Sequence, residues 1–143
     1  MFTCRHFAIQ ELVPPEIYAG RGDKAWELLN PKILHAADGI RDMFGPTIVN
    51  TWHSRDLVTH WGRFTESGYR TPETKTGAKL SQHRLGCALD LKFTETTPIA
   101  VYEHIMANPD DFPEITCMEN AHSTKSWLHI DCRNCDPIKV VNV

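Results

Sequence analysis

Two short runs of the sequence combine side chains that could bind a metal ion. The first, Ser81 to Leu91, contains His83 and, seven positions later, Asp90; the second, Trp127 to Asp131, contains His129. Three protein ligands of this kind leave the fourth corner of a tetrahedral zinc ion open. Water held at such a corner has its pKa lowered from ~15.7 to about 7, which makes it a nucleophile at neutral pH. The residue types and spacing therefore predict a hydrolytic Zn²⁺ centre with His83, Asp90 and His129 as ligands.

Two predicted strands would position these ligands. Polar and apolar residues alternate over residues 87–93, which places Asp90 within a strand, and residues 126–132 form a second strand that carries His129. His83 lies in the loop that enters the first strand. If the two strands are neighbours, one face of the sheet can present all three side chains to one ion.

The remaining patterns predict an α+β fold. An amphipathic helix follows Asn30-Pro31 and ends at Gly45-Pro46, and a second helix begins after Thr97-Pro98 and ends near Asn108. Further strands are predicted over residues 47–52, 115–119 and 138–143, whereas residues 53–80 show no sustained period and are expected to form an irregular, functional segment. We expect one domain over residues 1–143, with helices packed on one face of a small, mainly antiparallel sheet.

Composition excludes several classes of function. The chain has 143 residues, 15 basic and 18 acidic side chains and a formal charge of −3, which argues against a nucleic-acid partner. No apolar run is long enough for a membrane segment, and residues 1–6 lack the profile of a secretory signal. The sequence therefore predicts a protein that is cytoplasmic when synthesised. We separately expect a monomer.

The five cysteines are an odd number, and Cys132 and Cys135 have CxxC spacing. No second pair at similar spacing supports a structural zinc site, and Asp136-Pro137 disfavours the helix that follows a thioredoxin-type pair. Ordinary reduced thiols are the favoured interpretation, and a redox pair is the alternative.

The motifs also resemble a known family. Ser81 to Leu91 fits the pattern SxHxxGxAxDL, residues 127–131 read WLHID, and Ser67-Gly68-Tyr69-Arg70 matches an upstream SGYR element. Together they resemble the zinc peptidases related to D-Ala-D-Ala carboxypeptidases, a family that includes phage L-alanyl-D-glutamate endolysins and shares a core with the Hedgehog signalling domain. His6-Phe7 and Glu11-Leu12-Val13 are similar to an N-terminal segment of its phage members.

This resemblance implies specific roles. It assigns His83, Asp90 and His129 to the zinc ion, Arg70 to the substrate carbonyl or its developing oxyanion, and Ser81 to a hydrogen bond with the bound peptide. A purely structural salt bridge is the alternative for Arg70, and a turn cap or a pair with Arg84 is the alternative for Asp90. The implied substrate is the peptide stem of bacterial peptidoglycan, which the protein would reach if it is released from the cell.

The sequence departs from the family at the general base. Many members carry Glu or Asp three residues before the last histidine, where this chain has Ser126, and a serine hydroxyl cannot accept the proton from zinc-bound water at neutral pH. Glu119 is the first choice for the base, His122 the second and Asp131 the third. Asp131 shares a strand face with His129, so it could instead orient the imidazole or contact substrate in the pocket.

The sequence thus predicts a zinc metallopeptidase of the carboxypeptidase or endolysin type that degrades cell wall. The alternative is a non-catalytic, zinc-stabilised module that binds cell wall or a protein. The sequence leaves open which peptide bond is cleaved.

Overall fold

Helices and strands alternate along the chain in the computed structural model, which describes residues 1–134 and 138–143. The strands within this part are Thr47–Ile48 (β1), Ala88–Phe93 (β2), Cys117–Glu119 (β3), Leu128–Asp131 (β4) and Lys139–Val141 (β5). The α-helices are Pro15–Arg21 (α1), Pro31–Phe44 (α2), Arg55–Trp61 (α3), Pro98–Ala107 (α4) and Ala121–Thr124 (α5). Short 3-10 helices lie at Ile9–Glu11, Gly22–Leu28, Gln82–Leu85 and Pro109–Asp111.

The five strands form one sheet in the order β1-β2-β4-β3-β5. Three of the four strand pairs are antiparallel, and only the pairing of β3 with β5 is parallel. The α+β class and the mainly antiparallel sheet are therefore confirmed.

The two faces of the sheet have different chemistry because side chains alternate along each strand. Leu89, Leu91, Leu128, Ile130 and Met118 are buried in one hydrophobic core with residues of α2 and α4. The opposite face carries the polar positions between them. Asp90 pairs with His129 across β2 and β4, and the pairing of Met118 with Ile130 brings the next residue of β3, Glu119, into line with His129.

Local sequence explains the two helices that cover the core. The side chain of Asn30 accepts a hydrogen bond from the Lys32 amide (2.9 Å) and Pro31 begins α2, while Gly45 (φ 84°) ends it. Thr97 caps α4 in the same way through the Ala100 amide at 3.1 Å. Burial of each large aliphatic side chain of α2 contributes about 1.5–3 kcal/mol, so packing rather than helix propensity holds α2 on the sheet.

The structure corrects several predicted elements. Residues 53–80 are not wholly irregular, because Ser54 caps α3 through the Leu57 amide at 3.3 Å. The strand predicted over residues 47–52 has only two paired residues, and the polar loop after β3 contains α5. None of the helices in the described part of the chain has the length and apolar character needed to cross a membrane.

Candidate metal centre

Three side chains converge on the polar face of the sheet. The distances between their ligand atoms are 3.3 Å for His83 Nε2 and Asp90 Oδ1, 3.0 Å for His129 Nδ1 and Asp90 Oδ1, and 3.3 Å for His83 Nε2 and His129 Nδ1. A tetrahedral ion with bonds of about 2.0–2.1 Å separates its ligand atoms by about 3.3 Å. The group of His83, Asp90 and His129 can therefore hold a metal ion without rearrangement.

His83 is held from behind by the main chain of the SGYR element. It lies in the 3-10 helix Gln82–Leu85, where Ser81 Oγ accepts a hydrogen bond from the His83 amide at 3.3 Å. Its Nδ1 is 2.8 Å from the carbonyl oxygen of Gly68, an acceptor, so Nδ1 carries the proton. Nε2 is then left with a lone pair directed at the cluster, as metal binding requires.

Two glycines make this approach possible. Gly86 ends the 3-10 helix with φ 70°, and a Cβ at this position would lie 1.9 Å from the carbonyl oxygen of Leu28. A Cβ on Gly68 would lie 2.2 Å from the carbonyl oxygen of Leu12. Gly86 thus forms a tight turn between His83 and Asp90, whereas the role of the Gly68 carbonyl could not be read from the sequence.

The SGYR element also fixes the backbone of the other site segments. The carbonyl of Ser67 accepts a hydrogen bond from the Asp90 amide (2.7 Å), and the Arg70 amide donates to the carbonyl of His83 (3.1 Å). The Tyr69 amide donates to the carbonyl of Leu12 at 2.8 Å. This part of the segment predicted to be irregular therefore links β2, the His83 turn and the N-terminal region.

His129 is oriented by a carboxylate behind it. Its Nε2 lies 2.9 Å from Oδ2 of Asp131. The Arg133 guanidinium donates to both oxygens of this carboxylate, to Oδ2 at 2.6 Å and to Oδ1 at 2.8 Å. Nε2–H therefore donates to Asp131, and Nδ1 faces the cluster. Asp131 is fully buried (0% exposed) and contacts His129, which favours the orienting alternative over the predicted substrate contact and over the role of base.

The buried charges shift the pKa values of this pair in opposite directions. Burial opposes both shifts, but hydrogen bonds to Asp131 and Asp90 outweigh it and raise the pKa of His129 to about 9. Burial likewise opposes ionisation of Asp131, and hydrogen bonds from His129 and Arg133 lower its pKa to about 2. A proton and a metal ion thus compete for Nδ1 of His129 at neutral pH.

Asp90 uses both carboxylate oxygens. Oδ1 faces the two histidines, and Oδ2 accepts a hydrogen bond from Arg70 Nη2 at 3.2 Å. Burial favours the neutral acid, but the contacts of Asp90 with His129 and His83 outweigh it and hold the pKa of Asp90 below its usual range. Arg84, the alternative partner considered for Asp90, instead donates to the carbonyls of Pro72 and Thr74.

The side chain of Arg70 makes further contacts besides the one with Asp90. Its Nε donates to the carbonyl of Glu66 at 2.7 Å, and its side chain lines the two cavities that flank the cluster. The salt bridge considered as the structural alternative for Arg70 therefore exists, but it is made to a candidate metal ligand beside open space.

The structure separates the candidate bases. Oε1 of Glu119 lies 3.3 Å from Nδ1 of His129, and the side chain is 22% exposed. Glu119 is not part of the group of three whose ligand atoms lie within 4.8 Å of one another, so it stands beside that group. His122 is 57% exposed on α5 and contacts Glu103 and Tyr102 of α4. Ser126 donates to the carbonyl of Thr124 at 3.4 Å.

Two cavities open beside the cluster. One, of about 400 Å³, is lined by Ser81, His83, Glu119 and His129 among others, so Ser81 lies where a ligand could reach it. The other, of about 380 Å³, contains Asp90 together with Lys92, a residue that the sequence analysis did not single out. The signal for Lys92 was available, because strand alternation places position 92 on the face of Asp90.

The cysteines do not form a reactive pair within the described residues. Burial, and then the nearby Cys87 and Asp131, raise the pKa of the Cys132 thiol to about 12, so it stays protonated at neutral pH. Cys135 lies outside the described residues. The interpretation of Cys132 and Cys135 as a redox pair therefore also lies outside them.

The fold and the cluster define an α+β protein with a buried His-Asp-His centre, able to hold a metal ion, on the polar face of its sheet. Comparison of the chain with protein-family models, curated proteins and solved structures finds no match.

Proposed function

We propose that the protein is a zinc-dependent peptidase that hydrolyses the peptide stems of bacterial peptidoglycan. The observation that carries the proposal is the set of three ligand atoms at 3.0–3.3 Å, each on a side chain oriented by a partner behind it, next to an open cavity. The substrate class is supported by the SxHxxGxAxDL, WLHID and SGYR motifs, which resemble the D-Ala-D-Ala carboxypeptidase-like zinc peptidases. Under this proposal, the α+β sheet corresponds to the core that this family shares with the Hedgehog domain.

The donor set favours zinc. Two neutral imidazoles and a carboxylate suit Zn²⁺ better than Mg²⁺ or Ca²⁺, which prefer oxygen ligands. Bound there, a zinc ion would supply Lewis acidity, which polarises a carbonyl and lowers the pKa of water.

Glu119 is the proposed general base. Its carboxylate lies beside the cluster without belonging to it, and it lines the cavity of about 400 Å³. From this position it can accept a proton from the attacking water and pass it to the leaving amine, whereas His122 faces α4.

Arg70 and Ser81 are the proposed substrate contacts. Arg70 holds Asp90 through Nη2, and its position between the two cavities lets the guanidinium stabilise negative charge that develops on the scissile carbonyl oxygen. Ser81 Oγ caps the His83 turn as an acceptor, so its hydroxyl hydrogen is free to donate to a peptide carbonyl.

A binding module without turnover is the second candidate. One observation in its favour is Ser126, which occupies the position where the family carries its acidic general base. The other is the contact of Glu119 with His129, because a carboxylate at this place would suit a fourth metal ligand as well as a base. Structural zinc sites are closed by four protein ligands, whereas catalytic sites keep one position open.

The Glu119→Gln variant separates the two candidates. We expect it to retain about one zinc per chain and to lose at least a hundredfold in the rate of peptide release from purified murein, because general-base catalysis contributes roughly 10²–10⁴-fold. Zinc content is measured by elemental mass spectrometry and products by mass spectrometry of muropeptides. The exposed Glu27→Gln change is the matched control and should leave both unchanged.

Two outcomes would count against the peptidase. Parent protein that holds zinc but releases no peptide supports the binding module. Loss of zinc from Glu119→Gln, together with loss of folding stability, would identify Glu119 as a fourth ligand and close the site.

A further inference from the structure

Lys92 is a buried basic residue that forms no ion pair within the described part of the chain. It lies on β2 two residues after Asp90, on the same face of the sheet, and only 5% of it is exposed. Its Nζ donates to Ser67 Oγ at 3.1 Å and lies 4.2 Å from the centre of the Phe64 ring. Among the residues that the structure describes, no carboxylate forms an ion pair with it.

This arrangement is unfavourable for the protein alone. An ammonium group has three N–H donors, and Lys92 uses one of them on a neutral hydroxyl. Burial of a charge is costly unless the charge is paired, and the ring of Phe64 returns only part of that cost. Proteins break local rules of this kind mainly at functional or strained sites.

The nearby carboxylates are already engaged. Both oxygens of Asp90 are directed at the two histidines and Arg70. The carboxylate of Glu66 accepts hydrogen bonds from the hydroxyls of Thr74 and Thr76. The charge of Asp90 therefore acts on Lys92 only from a distance, and neither acid forms an ion pair with it.

Lys92 faces a cavity of about 380 Å³ that begins at Asp90. The wall carries three basic side chains, Arg63, Arg70 and Lys92, against the two engaged acids, and the aromatic rings of Phe64 and Trp127 form part of it. A cavity lined by cationic and aromatic side chains suits a small organic anion, in which a carboxylate meets the ammonium and the carbon skeleton meets the rings.

We propose that Lys92 binds a carboxylate of the peptide substrate and so selects peptides that carry a free carboxylate close to the bond that is cleaved. This inference rests on the proposed peptidase function and specifies its substrate. In a murein stem the carboxylate can come from the α-carboxylate of a γ-linked glutamate or from the C-terminus of the stem.

Binding is tested first on zinc-free protein, so that no carboxylate can bind to the metal. The probes are N-acetyl-glutamine, which carries one α-carboxylate, and its neutral analogue N-acetyl-glutaminamide, followed through the backbone amide signals of Ser67 and Lys92 by NMR. We expect saturable shifts with the acid alone. Lys92→Met, of similar length but uncharged, should weaken that binding about tenfold or more, because a hydrogen bond to a charged group is lost. Lys92→Arg should retain it, and the exposed Lys24→Met control should behave as the parent.

Catalysis then identifies the source of the carboxylate. The substrates are L-Ala-γ-D-Glu-L-Lys-D-Ala-D-Ala with both carboxylates free, with the glutamate carboxylate amidated, and with the C-terminus amidated. In the parent, amidation of one of the two positions should raise KM about tenfold or more. The same amidation should leave KM unchanged in Lys92→Met, because the group that senses the carboxylate is gone.

The results distinguish this inference from the proposed function. If the parent cleaves the free peptide and neither amidation changes KM, Lys92 does not select a carboxylate, and the peptidase assignment stands. If no peptide is cleaved, the peptidase assignment fails, and the NMR titration still decides whether Lys92 binds a carboxylate. Equal losses on all peptides in Lys92→Met, with a lowered free energy of unfolding, would show a structural lysine and overturn the proposal.

Discussion

The hydrogen bond from His129 to Asp131 should set the metal affinity of the site. Asp131 is fully buried and holds the imidazole with Nδ1 toward the cluster through a 2.9 Å contact to Nε2. The Asp131→Asn change keeps the size of the side chain and removes its charge. It therefore tests orientation and basicity of the ligand without opening a cavity.

The expected loss follows from the contact that changes. A hydrogen bond to a charged group contributes about 1.5–3 kcal/mol and one between neutral groups about 0.5–1.5 kcal/mol, so the difference is about 1–1.5 kcal/mol. This corresponds to a roughly tenfold weaker zinc complex, at the lower end of the 10–100-fold range typical for groups that hold a metal ligand.

The size of the loss should depend on pH. In metal-free protein the pKa of His129 is raised to about 9, in part by Asp131 itself, so below that pH a proton must leave Nδ1 before zinc can bind. The Asp131→Asn change weakens the binding of the proton to His129 as well as the binding of the metal ion. We therefore expect the full loss at pH 9.5 and a smaller loss at pH 7.

The assay is competition for zinc with a chromophoric chelator at both pH values, and circular dichroism verifies the fold of each variant. The exposed Asp110→Asn change is the matched control. Equal zinc affinity of Asp131→Asn and the parent at pH 9.5 would refute the argument that Asp131 positions and polarises the ligand.

Two further perturbations test the pKa shift and the backbone geometry of the site. Because the pKa of His129 is about 9 in the folded metal-free protein and about 6.5 in the unfolded chain, its contribution to stability is complete below pH 6.5 and is lost as pH rises. Urea unfolding of chelator-treated protein should show that the free energy of unfolding falls by about 2 kcal/mol between pH 6.5 and 8. Above pH 8, Lys92, whose pKa burial lowers to about 8, changes the stability in the opposite direction. A free energy of unfolding that stays constant up to pH 8 would contradict the raised pKa of His129. Gly86→Ala should lower the free energy of unfolding by at least about 2 kcal/mol, since φ is 70° and the new Cβ would meet the Leu28 carbonyl, whereas Gly20→Ala in α1, with open space around it, should raise it by about 0.5–1 kcal/mol. Thermal unfolding measures both glycine variants, and a similar change in the two would show that the backbone at Gly86 is not constrained.

Local sequence determined the parts of the fold that depend on near neighbours. The caps at Asn30 and Thr97 located the starts of α2 and α4, because a side chain that accepts a hydrogen bond from an amide two or three residues later leaves a short signature. Period-two alternation placed Asp90 and His129 on the polar sides of their strands. The missed helix α3 had a similar signal in Ser54 and Gly62, but none of its residues is buried, so no apolar stripe revealed it.

Only the tertiary structure decided how the site is assembled. The sequence offered Asp131 as a base, a substrate contact or an orienting group, and the contact with Nε2 of His129 together with complete burial selected the last. It offered Arg84 as a partner of Asp90, and the chain path brought Arg70 there instead. The carbonyl that accepts a hydrogen bond from His83 belongs to Gly68, fifteen residues away. The charge of Lys92 indicates a ligand only because the folded chain places this residue at a cavity. Caps and periodicity act over a few residues and can be read from the sequence, whereas these contacts join distant segments whose proximity is set by strand register and core packing.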